Sequence, residues 1–209
     1  MAPATSSGHT TRLLLEELSA LLDIGPVVDI TGEEKELHPD DVCDGGSSVR
    51  AVPGVLIVRH RLGMIGANAG IDQSNVDHRD GECALLLPVD PDRSAAALRE
   101  SLQQRTRKQL GVIISDSNNR PWRLGTLGQA IGSAGIRVLD DRRGQRDLFG
   151  RELQVTVSNR ADSIATAALM VMGETTERVP AALVQGLEPE DSRQVARDSL
   201  RPAAEDLFL

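Results

Sequence analysis

The sequence predicts an α+β (mixed α/β) fold, because strand-like and helix-like segments are mixed without a regular strand–helix–strand order. Short apolar runs at residues 54–60, 84–89 and 111–115 are typical of strands, whereas residues 161–172 form a longer apolar run typical of a helix. The chain has 209 residues and is 40% hydrophobic, which allows a substantial core in one large domain or two small ones.

The first fifty residues differ in composition from the rest of the chain. Residues 1–10 are small and polar, which predicts disorder, and residues 11–23 have leucines at the spacing of an amphipathic helix. Residues 31–50 are acidic and rich in turn-forming residues. We therefore predict an N-terminal helix and flexible acidic segment over residues 1–50, and a core domain over residues 51–209.

The core is predicted to begin with strands at 54–60 and 84–89. Asp90 as N-cap and Pro91 in the first turn then predict a helix that ends near Lys108. The run GVIIS, residues 111–115, is typical of a buried strand, and it ends at Asp116. A glycine-rich stretch follows at 125–135.

The second half of the core is predicted to contain two more strands and two helices. Residues 152–158 alternate, with Leu153, Val155 and Val157 on one face of a strand. Residues 161–172 predict a helix that is buried on most sides and is ended by Gly173. Residues 180–186 are predicted as a strand, before a charged helix and a C-terminal segment that docks by Leu207 and Phe208.

Composition excludes several classes of protein. A net charge of −8 and only 1% aromatic residues argue against nucleic-acid binding, which needs basic surfaces and stacking platforms. Cys43 and Cys83 lack metal-binding spacing, which indicates a reducing compartment. We predict no signal peptide and no membrane-spanning segment, and hence a cytoplasmic protein.

Candidate functional residues begin with the glycine-containing loop ANAGIDQSNVD, residues 67–77. It offers oxygen ligands and amide donors from Asn68, Asp72, Ser74 and Asn75. The alternative is an ordinary turn held by Asx-type hydrogen bonds.

The second candidate is ISDSNNRPWRLG, residues 114–125. Asp116 follows a predicted buried strand, where open α/β sheets tend to place ligands. Arg120 and Arg123 flank Trp122, the only tryptophan, and this group suits a phosphorylated or planar ligand. The alternative is a tryptophan that packs on the core with the arginines around it.

Two further candidates are the charged stretch at residues 140–151, which includes Arg151, and Glu174 directly after Gly173. A solvated loop and an exposed helix-end carboxylate are the respective alternatives. Divalent cations prefer several oxygen ligands, so Asp72, Asp116 and Glu174 form a metal site if their three loops converge.

Together the motifs resemble one known family. ANAGIDQSNV, LLLPVDPDRSA, VIISDSNNRPWRLG, QAIGSAGI, RGQRDLFGREL, ADSIATAALMVMGE and RPAAEDLF occur in this order between about residue 54 and the end. This order is similar to that of the coenzyme F420-0:γ-glutamyl ligases, and so the chain is expected to have their fold without the usual N-terminal lobe.

The resemblance implies an enzyme that uses GTP, or ATP, to activate an acid as an acyl phosphate, which the amine of an amino acid then attacks. It implies Mg²⁺ or Mn²⁺ and a homodimer. Carried onto this sequence, it makes Asp72, Asp116 and Glu174 metal ligands, and Asp116, Arg120 and Arg123 catalytic. Nucleotide or substrate would then be bound by Asn68, Ser74, Asn75, Trp122 and Arg151.

Several positions depart from the family pattern. The Ser-Lys-x-Glu-Gly-Arg stretch of the N-terminal lobe has no counterpart, and Asn119, Glu174 and Gln185 replace Gly, Gln and Arg. Three hypotheses follow. The chain is a diverged ligase that joins another acid and amine, one subunit of a split ligase whose partner chain supplies the lobe, or a non-catalytic relative that binds a ligand or a partner.

Overall fold

The centre of the fold is an antiparallel hairpin between two helices. The computed structural model describes residues 27–29, 51–52, 55–72, 74–76, 83–187, 190 and 192–205. Within them, β6 (Val112–Asn118) pairs with β7 (Leu127–Ala134), and helices α1 (Pro91–Thr106) and α2 (Arg160–Met172) pack against this hairpin. This arrangement confirms the predicted α+β class. The predictions for residues 1–23 and for Leu207 and Phe208 concern residues outside these ranges.

A register shift in the hairpin places two glycines of β7 that are four residues apart on opposite faces, one against each helix. Ile114 pairs with Gly132 but Ser115 pairs with Ala130, so Ile131 is an extra residue in β7. Such a bulge changes the face on which the following side chains lie. A Cβ on Gly128 would lie 2.4 Å from the backbone of Ala165 in α2. A Cβ on Gly132 would instead lie 2.2 Å from the carbonyl oxygen of Pro91 in α1.

Helix α1 forms as its sequence predicts. The Asp90 side chain accepts a hydrogen bond from Arg93 N–H at 3.0 Å, and such a cap typically stabilises a helix by about 1 kcal/mol. The helix ends at Thr106, two residues earlier than predicted, and its C-cap Arg107 has a left-handed φ of 57°. Its buried face contributes to a core cluster made of Ala95, Leu102, Val112 and Ala134.

Helix α2 covers the other face of the hairpin through small side chains. Asn159 caps it by accepting a hydrogen bond from Asp162 N–H at 3.0 Å, and Gly173 ends it, as predicted. Its core cluster consists of Ala130, Val138, Ala161, Ala165 and Ala196. The prediction that this helix is buried on most sides is wrong, because Met170 is 86% exposed and Val171 is 66% exposed. Only its alanine face meets the hairpin.

A segment before α1 covers the rest of the α1 face of the hairpin. Strands β3 (Val55–Arg59) and β4 (Ile65–Ala67) pair with each other, β2 (Ala51–Val52) joins β3, and a 3₁₀ turn at Asn68–Gly70 follows. Residues 60–72, called here the strap, contribute Leu62 and Met64 to a third cluster with Ile131. The strap therefore rests on the hairpin next to α1.

The predicted strand at 84–89 is shorter in the structure. It is β5 (Cys83–Leu85), which pairs with β1 (Val27–Asp29) through the backbone. Sequence patterns did not predict β1, whose three residues are too few to show a period.

The hairpin continues into an arm, residues 139–159. Strands β8 (Leu139–Asp141) and β9 (Val157–Asn159) pair at its base, and Arg146 bridges to Glu152 further out. The prediction of a continuous strand over residues 152–158 was therefore wrong. The face predicted to be apolar is not buried, since Val155 is 86% exposed.

Two C-terminal predictions were also wrong. Residues 180–186 form no strand, and the predicted charged helix is replaced by short 3₁₀ turns at Ala196–Ser199 and Ala203–Glu205. The Asp92 carboxylate accepts from Ala196 N–H at 2.8 Å and from Ser133 N–H at 2.9 Å. These bonds fasten the C-terminal segment to α1 and β7 and hold it in a non-helical path. In the described part of the chain, no helix is long and apolar enough to cross a membrane.

Candidate functional site

Asp116 lies near the end of β6, on the strand face that carries Val112 and Ile114. Alternation along β6 places these side chains on the α1 and strap side of the hairpin. Burial raises the pKa of the Asp116 carboxyl, a hydrogen bond from Ser117 N–H at 2.8 Å opposes this, and the nearby carboxylates of Asp72 and Glu174 raise the pKa further. Asp72 and Glu174 are thus each close enough to Asp116 to repel its charge.

Asp72 is positioned by its own loop and by β5. Its backbone exchanges two hydrogen bonds with Leu85, at 2.7 and 3.1 Å. The Ser74 hydroxyl lies 2.7 and 2.8 Å from the two Asp72 carboxylate oxygens, and Ser74 N–H donates to Oδ1 at 2.8 Å. The last bond is the Asx-type turn that the sequence left as an alternative, so the loop has that geometry and also presents its carboxylate toward Asp116.

Glu174 is held from two sides. Thr126, one residue before β7, donates its hydroxyl to Glu174 Oε2 at 2.7 Å. Asn75, with a left-handed φ of 56°, donates its side-chain amide to the Glu174 backbone oxygen at 3.5 Å. The two bonds connect the end of α2 to the hairpin and to the Asp72 loop.

The donor set fits a divalent cation in its chemistry. Asp72 and Glu174 both lie near Asp116, and the repulsion between like charges is relieved by a cation with oxygen ligands. Among the described residues, no group of three or more His, Cys, Asp or Glu side chains is yet close enough to share one ion. The geometry is therefore that of an open acidic cluster.

The turn between β6 and β7 carries the predicted arginines. Trp122 has a left-handed φ of 67° and is 88% exposed, so it does not pack on the core as the alternative proposed. Arg123 is exposed as well. Arg120 is half-buried, and its Nη1 is buried without a hydrogen-bond partner among the described residues. A buried guanidinium N–H without an acceptor is costly, and an anionic ligand would supply one.

The arm holds most of the remaining charge in local pairs. Arg142 contacts Asp140 at 2.7 Å, and Arg143 Nε lies 2.9 Å from Asp141 Oδ1. Arg151 is exposed, and its backbone N–H donates to Asp147 at 2.8 Å. Among the described residues, no hydrogen bond joins Arg151 to the three carboxylates, and Asn68 begins the 3₁₀ turn of the strap with its side chain exposed.

Sequence reasoning missed three polar side chains at this site. Thr126 contacts Glu174, while Asn118 and Gln129 hydrogen bond to each other at 2.8 Å on the Asp116 face of the hairpin. Strand alternation from Asp116 would have predicted Asn118. Gln129 could be found only once the register of β7 was known.

Taken together, fold and site define an α+β protein with an acidic cluster beside an arginine-bearing turn. Residues 38–186 match the family model described as F420-0:Gamma-glutamyl ligase. The chain belongs to this family.

Individual relatives support the same assignment. The coenzyme F420:L-glutamate ligase of Methanopyrus kandleri is 42% identical over 207 residues, which cover 97% of this chain and 81% of that protein. The enzyme of the same name from Methanothermobacter thermautotrophicus is 39% identical, with 97% and 80% covered. That of Archaeoglobus fulgidus is 47% identical over 133 residues, with 63% and 52% covered. Because the first two alignments cover almost the whole chain, the similarity extends to residues before 54.

Proposed function

We propose that this chain is a ligase that joins a carboxyl group of the deazaflavin coenzyme F420 precursor to the amine of L-glutamate, with GTP or ATP as co-substrate. Membership of the F420-0:Gamma-glutamyl ligase family and relatives named coenzyme F420:L-glutamate ligase support the acid and the amine. The observation that carries the proposal for this chain is that Asp72 and Glu174, from two other segments, lie near enough to Asp116 for their charges to raise the pKa of its carboxyl, while Asn75 of the Asp72 loop donates a hydrogen bond to the Glu174 backbone oxygen.

The reaction has two steps. An oxygen of the acid attacks the terminal phosphorus of the nucleotide, and the nucleoside diphosphate leaves. The uncharged amine of glutamate then attacks the carbonyl carbon of the acyl phosphate, inorganic phosphate leaves, and the amine gives up a proton. Phosphoryl transfer depends mainly on alignment and on charge neutralisation, so no protein nucleophile is needed.

The residues divide this work by charge. Asp72 and Asp116, with Glu174 as third ligand, would hold Mg²⁺ or Mn²⁺, which supplies positive charge for the phosphates. Arg120, whose buried N–H lacks an acceptor among the described residues, and Arg123 would donate to phosphate oxygens. Ser74 and Asn75 keep the Asp72 loop and Glu174 in place.

The remaining predicted binding residues lie in exposed positions. Trp122 at the tip of the hairpin could cover a planar ring, and Asn68 and Arg151 could approach the nucleotide or acid from the strap and the arm. Leu148 and Phe149, both 92% exposed at the end of the arm, favour a homodimer in which the arm is covered.

The activity test uses the purified chain with GTP or ATP, Mn²⁺, the F420 precursor and L-glutamate, with the amide product measured by mass spectrometry. Asp116→Asn keeps the size of the side chain and removes its charge, and we expect kcat to fall on the order of 100-fold or more. Glu100→Gln removes an exposed carboxylate on α1 and serves as the matched control, with activity unchanged.

Other outcomes would identify the two alternatives. Activity only after addition of a co-purifying chain would make this protein one subunit of a split ligase. Absence of nucleotide and Mn²⁺ binding in calorimetry, with and without such a chain, would make it a non-catalytic relative and refute the proposal.

A further inference from the structure

One side-chain amide connects the hairpin to the strap. Asn118 Nδ2 lies 2.8 Å from Gln129 Oε1 on β7 and 3.2 Å from the backbone oxygen of Ile65 on β4. The amide group has two N–H donors, so it can satisfy both acceptors at once. Gly66 lies beside it, and a Cβ there would make an ordinary contact with Asn118 Oδ1, at 3.5 Å.

The position of this bridge relates it to the acidic cluster. Asp116 and Gln129 are paired across the hairpin, so their side chains share a face, and Asn118 follows Asp116 on that face by alternation. Seven residues after Ile65, the same strap carries Asp72. The bridge therefore joins the two segments that bring Asp72 and Asp116 together.

The strap also contacts the hairpin through apolar side chains. Its apolar contacts, through Leu62 and Met64 with Ile131, are non-directional and permit sliding. Hydrogen bonds to half-buried amides fix direction and distance, and their loss leaves acceptors unpaired.

We propose that Asn118 and Gln129 are positioning residues that set the distance between Asp72 and Asp116 by fastening the strap to the hairpin. This inference rests on the proposed function for its catalytic meaning, but the fastening itself can be tested without it.

The first test measures hydrogen exchange of the strap amides in the full chain. Gln129→Met keeps the length of the side chain and removes its amide group with the acceptor oxygen, and Asn118→Leu removes the donor. Both substitutions should speed hydrogen exchange of the Ile71 and Asp72 amides about tenfold, as expected for a moderate local loosening of the strap. The amides of β6 and β7 should stay protected. Gln103→Met is the matched control, since Gln103 donates to Gln109 at 2.9 Å in an equivalent pair at the far end of α1.

The second test titrates the same variants with Mn²⁺ alone and records their melting temperatures. Outer residues that orient ligands typically change metal affinity by roughly 10-fold or more, so the two variants should bind Mn²⁺ more weakly than the control at a similar melting temperature. A role in stability only would lower the melting temperature and leave Mn²⁺ affinity unchanged.

The outcomes separate this inference from the proposed function. Unchanged exchange in the strap, or unchanged Mn²⁺ affinity in variants of a wild type that binds Mn²⁺, would overturn the positioning role. If the wild type binds no Mn²⁺ while the strap still loosens, the proposed function fails and the fastening stands.

Discussion

At the scale of single residues, Asp116 and Asp141 lie in opposite electrostatic environments. Asp116 is desolvated and lies near two other acids, so its pKa is raised. Asp141 is exposed and lies beside Arg143, whose hydrogen bonds lower the pKa of the carboxyl to about 2. The surroundings of Asp116 disfavour its charged form, and a bound cation would relieve that cost. Asp141 and Arg143 form a local pair on the protein surface.

The Asp141 pair gives a pH prediction. Arg143→Gln should return the pKa of Asp141 from about 2 toward its ordinary 3.8, as followed by NMR titration of the carboxyl carbon. Because the folded-state pKa is depressed, the pair favours the folded state above the ordinary pKa, and this contribution is lost as pH falls toward 2.

The control for this titration is Arg146→Gln. Arg146 Nη1 donates to the backbone oxygen of Gly150 at 2.9 Å, so its loss should leave the Asp141 titration unchanged. An Asp141 pKa that stays near 2 in Arg143→Gln would contradict the assignment.

The sequence could predict the acids of the site but not the groups that hold them. In the sequence, Asp116 and Glu174 each come after an apolar run. A charged residue at such a position is easy to recognise as a candidate for a functional site. Thr126 acts through its contact with Glu174, 48 residues away in the chain, and Gln129 through the register of β7. Neither relation leaves a local periodic signal.

At the scale of elements, helix α2 approaches the hairpin so closely that glycine is required. A Cβ at Gly128 would lie 2.4 Å from the Ala165 backbone, and Thr166 also donates its hydroxyl to the Gly128 oxygen at 2.9 Å. The helix cannot withdraw without losing that bond.

Gly128→Ala should therefore destabilise the protein, by about 1–3 kcal/mol as is typical of overpacking. The measurement is the free energy of unfolding from urea denaturation. Gly66→Ala is the control, since its Cβ would make an ordinary contact at 3.5 Å, and it should cost clearly less. Equal losses in both variants would show that the close packing of α2 is not the cause.

The elements that the sequence predicted well are those with end signals. Asp90 with Pro91 marks the start of α1, and Gly173 marks the end of α2. Residues 180–186 had only an apolar run, and such a run forms a strand only if a neighbouring strand offers its backbone. Leu183, at 40% exposure, is neither paired nor fully buried.

At the scale of the whole molecule, the arm leaves large apolar side chains uncovered in one chain. Leu148 and Phe149 form the tip, and Asp147 holds the turn by accepting from Phe149 N–H at 2.9 Å and from Arg151 N–H at 2.8 Å. A turn that is ordered internally yet exposes two large apolar groups is suited to an interface.

We expect the purified chain to be a dimer in light scattering after size exclusion, and Phe149→Glu to shift it to a monomer. Val89→Glu places the same charge at another exposed apolar position, 73% exposed, and should leave the dimer intact. A wild type that is monomeric at all concentrations would exclude the homodimer.

The extra residue at Ile131 has a consequence for how this protein tolerates change. Gly128 and Gly132 are four residues apart, so a strand without a bulge would place both on the same side, and one helix would meet side chains where it now meets bare backbone. A substitution at position 131 alters one contact, and even deletion of Ile131 would leave Ile114 opposite Gly132 and Ser115 opposite Ala130, in a ladder without a bulge. Related sequences should therefore vary at position 131 far more freely than at the two glycines, where any Cβ would overlap helix backbone.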